Sequence, residues 1–185
     1  PTAQIFNTPG SVTISATDLE FALSSANLIL QANQSIFIEE SINGINANSL
    51  TLQAGGDIRT SGANPLTISL TGGSFNATFN NSGPLPPLGN TASFVGSRLT
   101  ITTVGGDIII QQGDLANFIQ GGIFLNNCSF DTGVAGSMRL ILNPNNNFAD
   151  ASGINLSLTR INASNSNAGP TVLNGTGAQG GFLLV

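Results

Sequence analysis

The chain carries one short phrase twice: Ala26-Asn27-Leu28-Ile29-Leu30-Gln31-Ala32 returns 22 residues later as Asn48-Ser49-Leu50-Thr51-Leu52-Gln53-Ala54. The same offset carries Ile36 onto Ile58. A fixed period of this size is typical of stacked repeats, each of which buries its apolar face against the next. The sequence therefore predicts a solenoid.

The alternation inside each phrase predicts a short β-strand with one buried face. Leu50, Leu52 and Ala54 alternate with Thr51 and Gln53, which is the period-2 pattern of a strand. A turn follows each phrase, and a second apolar stretch follows each turn. About 22 residues hold three strands of about five residues with their corners, which is one turn, or rung, of a β-helix.

Later segments repeat the pattern more loosely. An alternating strand followed by a double glycine occurs at 66–73 and again at 99–106. Further strands are predicted at 11–14, 137–142 and 154–158, an apolar stretch at 122–125, and one short helical turn at 16–23. With 185 residues the chain is predicted to be a single domain, 1–185, of about eight rungs. Loop insertions are expected near 83–92, which holds three prolines, and near 143–150.

Composition excludes several classes of function. Charged residues make up 7% of the chain, against about 25% in an ordinary domain. The net charge of −5 with four basic residues argues against nucleic acid and against anionic membrane surfaces, because both require a positive face. No apolar run is long enough for a transmembrane helix. Asparagines at equivalent corners are expected to form hydrogen-bonded ladders, and since Pro1 opens the sequence we expect a piece of a longer chain.

The carboxylates are the residues to weigh for catalysis. The chain has no histidine, and Cys128 stands alone, so a base-activated thiol is not expected. Adjacent Glu39 and Glu40 point to opposite faces of a strand, whereas Asp57 and Asp107 both follow double glycines and are candidates for one shared corner. We predict that the chain is not an enzyme and has no catalytic, cofactor-binding or metal-binding residue. The carboxylates considered are Asp18, Glu20, Glu39, Glu40, Asp57, Asp107, Asp114, Asp131 and Asp150.

Three stretches carry a resemblance to a known family. The stretch Leu50-Thr51-Leu52-Gln53-Ala54-Gly55-Gly56-Asp57-Ile58, its partner from Leu28, and Gly105-Gly106-Asp107-Ile108 resemble the rungs of filamentous-haemagglutinin-type proteins. These are large exoproteins of bacterial two-partner secretion, including long cyanobacterial ones. The resemblance covers residues 25–110 well and the rest by composition only. It implies a right-handed parallel β-helix, export through an outer-membrane transporter, and an extracellular or cell-surface location.

The resemblance implies roles in adhesion, surface fibres or biofilm matrix. We therefore expect an extracellular structural or adhesive segment whose partners are matrix or host glycans. No cap sequence is evident at either end, so either the parent chain continues or copies stack end to end into filaments. The alternative is a carbohydrate-binding or carbohydrate-processing β-helix. The absence of tyrosine and tryptophan for stacking on sugars favours the structural reading.

Overall fold

A computed structural model gives the chain a parallel β-helix fold. The structure describes residues 2–6, 12–46, 48–81, 92–113, 121–133, 135–142, 153–162, 172–175 and 182–184. In chain order the elements are β1 (Thr2–Phe6), α1 (Ala16–Leu23), β2 (Asn27–Ala32), β3 (Ile36–Ile38), β4 (Ile42–Gly44), β5 (Leu50–Ala54), β6 (Ile58–Thr60), β7 (Leu66–Leu70), β8 (Phe75–Phe79), β9 (Phe94–Ser97), β10 (Leu99–Thr102), β11 (Ile108–Gln112), β12 (Ile123–Asn126), β13 (Ser129–Asp131), β14 (Met138–Leu142), β15 (Ile154–Ser157), β16 (Arg160–Asn162), β17 (Val172–Gly175) and β18 (Phe182–Leu184).

The described strands form three sheets, and each rung contributes one strand to each. Sheet 1 has the order β1-β2-β5-β8-β11-β14-β17, sheet 2 the order β3-β6-β9-β12-β15-β18, and sheet 3 the order β4-β7-β10-β13-β16. Every pairing is parallel, as in β2 with β5 and β7 with β10. The predicted fold class, an all-β parallel β-helix solenoid, is confirmed.

The core lies between the three sheets and is built from columns of like side chains. In sheet 1, five completely buried residues stack in register, one from each of five successive rungs: Leu28, Leu50, Phe75, Ile108 and Met138. Burying one large apolar side chain stabilises the fold by about 1.5–3 kcal/mol. These columns are therefore the main source of stability. Because inward and outward residues alternate, the outer faces keep the polar residues of each strand.

Rung length is not constant along the solenoid. The predicted offset of 22 residues holds for Leu28 on Leu50 and for Ile36 on Ile58. In sheet 1 the following offsets are 25, 33 and 30 residues. The described residues therefore form five rungs of three strands each, with β1 before them and β17 and β18 after them. The expectation of about eight equal rungs is wrong because later rungs carry longer corners.

In the second rung the longest corner, 61–65, lies between sheets 2 and 3, but in the third, fourth and fifth rungs the longest corner lies between sheets 1 and 2. Segments 82–91, 114–120 and 143–152 each follow a strand of sheet 1 and precede a strand of sheet 2. The expected loop insertions at 83–92 and 143–150 fall in these segments and, apart from the buried Ala92, lie outside the described residues. In the first two rungs the same corner is only three residues long.

The looser repeats at 66–73 and 99–106 form strands of a different sheet from the first phrase. Leu66 pairs with Leu99, so strands β7 and β10 do stack on each other. Both lie in sheet 3, however, whereas Leu28 and Leu50 lie in sheet 1. The strands predicted at 137–142 and 154–158, and the apolar stretch at 122–125, correspond to β14, β15 and β12. The strand predicted at 11–14 is wrong, since residues 12–15 contain no strand.

The short helix predicted at 16–23 is present and covers the N-terminal end of the core. Buried Leu19 and Leu23 of α1 join the core cluster, and the helix packs against β4. A carboxylate oxygen of Glu20 accepts the edge N–H of Asn43 at 2.7 Å, and Glu40 accepts the N–H of Ala16 at 3.2 Å. The expectation that neither end has a cap is therefore wrong for sheet 3 at this end, while β1 and β3 are the outermost described strands of sheets 1 and 2. None of the described helical residues forms a helix long and apolar enough to cross a membrane.

Candidate functional site

A ladder of side-chain hydrogen bonds runs along the corner between sheets 3 and 1. The N–H of Ser49 donates to Oδ1 of Asn27 at 2.8 Å, and that of Ser74 to Oγ of Ser49 at 3.0 Å. The N–H of Asp107 donates to Oγ of Ser74 at 3.0 Å, and that of Ser137 to Oδ1 of Asp107 at 2.7 Å. We call this series the first corner ladder. It satisfies a backbone donor at a place where the strand pairing has stopped.

A second corner ladder runs between sheets 1 and 2. Asp57 donates its N–H to Oγ of Ser35 at 3.3 Å and accepts the N–H of Ser93 at 2.7 Å. Oγ of Ser93 in turn accepts the N–H of Gly122 at 3.3 Å. The other carboxylate oxygen of Asp57 lies 2.7 Å from Nη2 of Arg59. The carboxylate of Asp57 is therefore occupied by one backbone donor and one cation.

The two aspartates lie at different corners. The expectation that Asp57 and Asp107 share one corner is wrong, although both follow a double glycine and precede an isoleucine. Asp107 belongs to the first ladder and Asp57 to the second. Each supplies its carboxylate to the backbone of the next rung, which is a structural use of the charge. No catalytic pair forms between them.

The remaining described carboxylates also have local roles or stand exposed. Asp131 accepts the N–H of Gly133 at 2.9 Å and Nδ2 of Asn162 at 3.2 Å. Asp18 closes the N-terminal turn of α1, and Glu39 is exposed. Among the described residues no three His, Cys, Asp or Glu side chains are grouped so that they could hold a metal ion. Asp114 and Asp150 lie outside the described residues.

Side-chain hydrogen bonds between rungs also occur on a strand face, where glutamine amides donate. Nε2 of Gln31 donates to Oε1 of Gln53 at 2.6 Å, and Nε2 of Gln111 donates to Oγ1 of Thr78 at 3.1 Å. Both bonds lie on the outer face of sheet 1. Corner ladders were expected to consist of asparagines, but the two found here are built mainly from serine and aspartate.

Close contact between rungs explains the second glycine of the pairs 72–73 and 105–106. A Cβ added to Gly73 would meet the carbonyl oxygen of Asn48, and one added to Gly106 would meet that of Gly73. Gly136 faces the carbonyl of Gly106 in the same way. The corner between sheets 3 and 1 therefore requires glycine because the backbone of one rung lies directly against the next.

From the third rung onward the corner between sheets 2 and 3 is the shortest, with one or two residues between the strands. It turns through residues with positive φ, which stack on one another: Arg98 (φ 52°), Asn127 (φ 53°) and Leu158 (φ 50°). Cys128 follows Asn127 and is 3% exposed. Burial raises the pKa of the Cys128 thiol, and backbone hydrogen bonds at Leu99 and Asn126 offset only part of the rise. A protonated, buried thiol is a poor nucleophile.

An open groove of about 550 Å³ lies along this corner. Its lining includes Arg98, Thr100, Asn127, Ser129, Leu158 and Arg160. Nη1 of Arg98 donates to the carbonyl of Ala63 at 3.3 Å, and Arg160 is exposed. Among the described residues, only Arg59 forms an ion pair, with Asp57. Neither groove arginine is therefore neutralised by a described carboxylate.

Sequence reasoning did not identify this groove. Arg98 and Arg160 lie far apart in the chain and line the same groove only because Thr100 pairs with Ser129, which pairs with Arg160. The relevant signal, a positive φ at a bulky corner residue, is a property of the backbone and has no sequence pattern. No protein-family model, curated protein or solved structure matches the chain.

Proposed function

We propose that the chain is an extracellular structural or adhesive β-helix segment, exported through an outer-membrane transporter of the two-partner type. The observation that carries the proposal is that Asp57 and Asp107 each accept a backbone N–H of the next rung. Both carboxylates are taken up by bonds between rungs, in a chain that has few charges altogether. The parallel β-helix supplies a rod with a polar, weakly charged surface, which suits a scaffold or an adhesive stalk.

The helix at the N-terminal end helps to distinguish a segment of a longer protein from a filament of copies stacked end to end. Stacking of copies on the sheet 3 side of this end would have to displace α1, whose Leu19 and Leu23 are buried and whose Glu20 accepts the edge N–H of Asn43. Displacing the helix exposes apolar surface and frees an edge strand. We therefore favour a segment of a longer surface protein over a filament that grows through this end.

The location is tested by antibodies raised against the purified chain. Immunogold labelling of intact, unpermeabilised producing cells should mark the surface or the surrounding matrix, and protease treatment of whole cells should remove the label. Labelling that requires permeabilised cells would overturn the proposal.

The proposal that the chain is structural and not an enzyme is tested by incubating it with polysaccharides. Incubation of the purified chain with polygalacturonate, alginate and dextran should release no new reducing ends and no unsaturated products absorbing at 235 nm. Turnover on any of them, lost in a matched carboxylate variant, would replace the structural role with the carbohydrate-processing alternative.

A further inference from the structure

We propose that the groove along the corner between sheets 2 and 3 binds an anionic polysaccharide, one whose sugars carry carboxylate or sulfate groups. The inference names a ligand class for the adhesive role and rests on that proposed function for its biological meaning. The binding itself depends only on the groove.

The charge of the groove is the first reason. The chain as a whole carries a net charge of −5, yet the groove presents Arg98 and Arg160 with no described carboxylate paired to either. Arg59 shows the contrast, because its guanidinium is held by Asp57 at 2.7 Å. Nη1 of Arg98 bonds the carbonyl of Ala63, but its other N–H donors and those of Arg160 keep the planar geometry that carboxylate and sulfate oxygens match.

The spacing of the two arginines is the second reason. Arg98 occupies the corner two rungs before Leu158, and Arg160 lies just beyond Leu158 in the next strand. Two rungs correspond to about 10 Å along the axis. A single inorganic anion does not reach across that distance, whereas a polymer with repeated charges does.

Backbone strain at the same corner is the third reason. Arg98 and Leu158 both have positive φ, a strained conformation that bulky residues rarely adopt. Asn127, between them, is a residue type that tolerates the same angle. Two strained residues that project into one groove indicate that their side chains are needed there, since glycine or asparagine would serve the turn better.

The remaining lining suits the sugar ring. The hydroxyls of Thr100 and Ser129 and the amide of Asn127 are able to bond sugar hydroxyls, and all three line the same groove as the arginines. Leu158, which is 76% exposed, offers an apolar surface to the C–H face of a ring. None of the described lining residues is aromatic, so we expect charge to dominate and the affinity to fall as salt is raised.

The test measures binding of the full chain to three polymers by biolayer interferometry. Polygalacturonate carries carboxylates, dextran sulfate carries sulfates, and plain dextran carries neither. We expect both charged polymers to bind, dextran not to bind, and free sodium sulfate at matched ionic strength not to compete better than sodium chloride. Arg98→Gln and Arg160→Gln should each weaken binding about tenfold, the size of a hydrogen bond to a charged group.

Two further variants keep the result interpretable. Arg139→Gln removes an exposed arginine from the outer face of sheet 1, outside the groove, and should change affinity less than twofold. Arg98→Asn should lose binding while unfolding at the same or a higher temperature, because asparagine relieves the strain at this corner.

Unchanged affinity in the double variant Arg98→Gln/Arg160→Gln, or an equal loss in Arg139→Gln, would overturn the groove assignment. Surface labelling of intact cells would then still support the extracellular role. Conversely, label confined to permeabilised cells together with groove-dependent binding would overturn the surface role and leave the groove assignment standing.

Discussion

Replacing Leu52 with aspartate tests the register of the whole β-helix. Leu52 is 2% exposed and lies between Leu30 of the preceding rung and Ala77 of the following one. Removing a buried leucine costs about 2–5 kcal/mol, and a buried polar group without a partner adds about 1–3 kcal/mol. Even the lower sum of about 3 kcal/mol corresponds to a fall in Tm of about 6–12 °C for a chain of this size.

The neighbouring residue supplies the control. Thr51 is next to Leu52 in β5 but points to the partly exposed outer face. Thr51→Asp introduces the same charge at the same level of the rod and should change stability by no more than about 0.5 kcal/mol. A slip of one residue in the register would exchange the roles of the two positions.

The assay is thermal unfolding by circular dichroism together with hydrogen exchange followed by mass spectrometry. Because each rung of a solenoid contacts only its neighbours, Leu52→Asp should raise exchange chiefly in β2, β5 and β8, while β14 stays protected. If Leu52→Asp melts like the unmodified chain, or if Thr51→Asp is the more damaging change, the register described here is refuted.

Three further outcomes follow from the corners. Ser74→Ala removes the acceptor for the N–H of Asp107 and should cost about 1 kcal/mol, seen as faster exchange of the Asp107 amide; unchanged exchange would contradict the first corner ladder. Gly106→Ala should lower the Tm more than Gly105→Ala, because the first forces two rungs apart and the second, with φ of 94° and open space, meets only local strain; the reverse order would contradict the rung contact. With its pKa raised, Cys128 stays protonated as pH rises through the usual thiol range, so iodoacetamide at pH 8.5 should label it slowly in the folded chain and rapidly in urea; equal rates would show that the thiol is accessible.

The repeated phrase and the helix were both predictable because their signals are local. Strand alternation in Leu50–Ala54 and the acidic residues of Ala16–Leu23 each describe one element and its immediate neighbours. The stacking of Leu28 on Leu50 followed as well, since the two phrases are nearly identical and no insertion separates them.

The later register was not predictable from periodicity. Alternating strands look the same in all three sheets, so the pattern at 66–70 does not say on which side of the rung it lies. Likewise, Gly-Gly-Asp-Ile occurs at two different corners, where Asp57 and Asp107 serve separate ladders. Insertions of unequal length between sheets 1 and 2 then shift every later residue, and only a three-dimensional register brings Arg98 to the same groove as Arg160.

The corner ladders have a direction. In each described step the side-chain oxygen belongs to the earlier rung and the backbone N–H to the later one, as with Ser74 and Asp107. A rung already in place thus offers fixed acceptors to the one that follows, whereas a later rung formed first offers only donors. If the chain is exported with its N-terminal part leading, each folded rung presents side-chain acceptors that set the position of the next, so that rungs add in the N- to C-terminal direction.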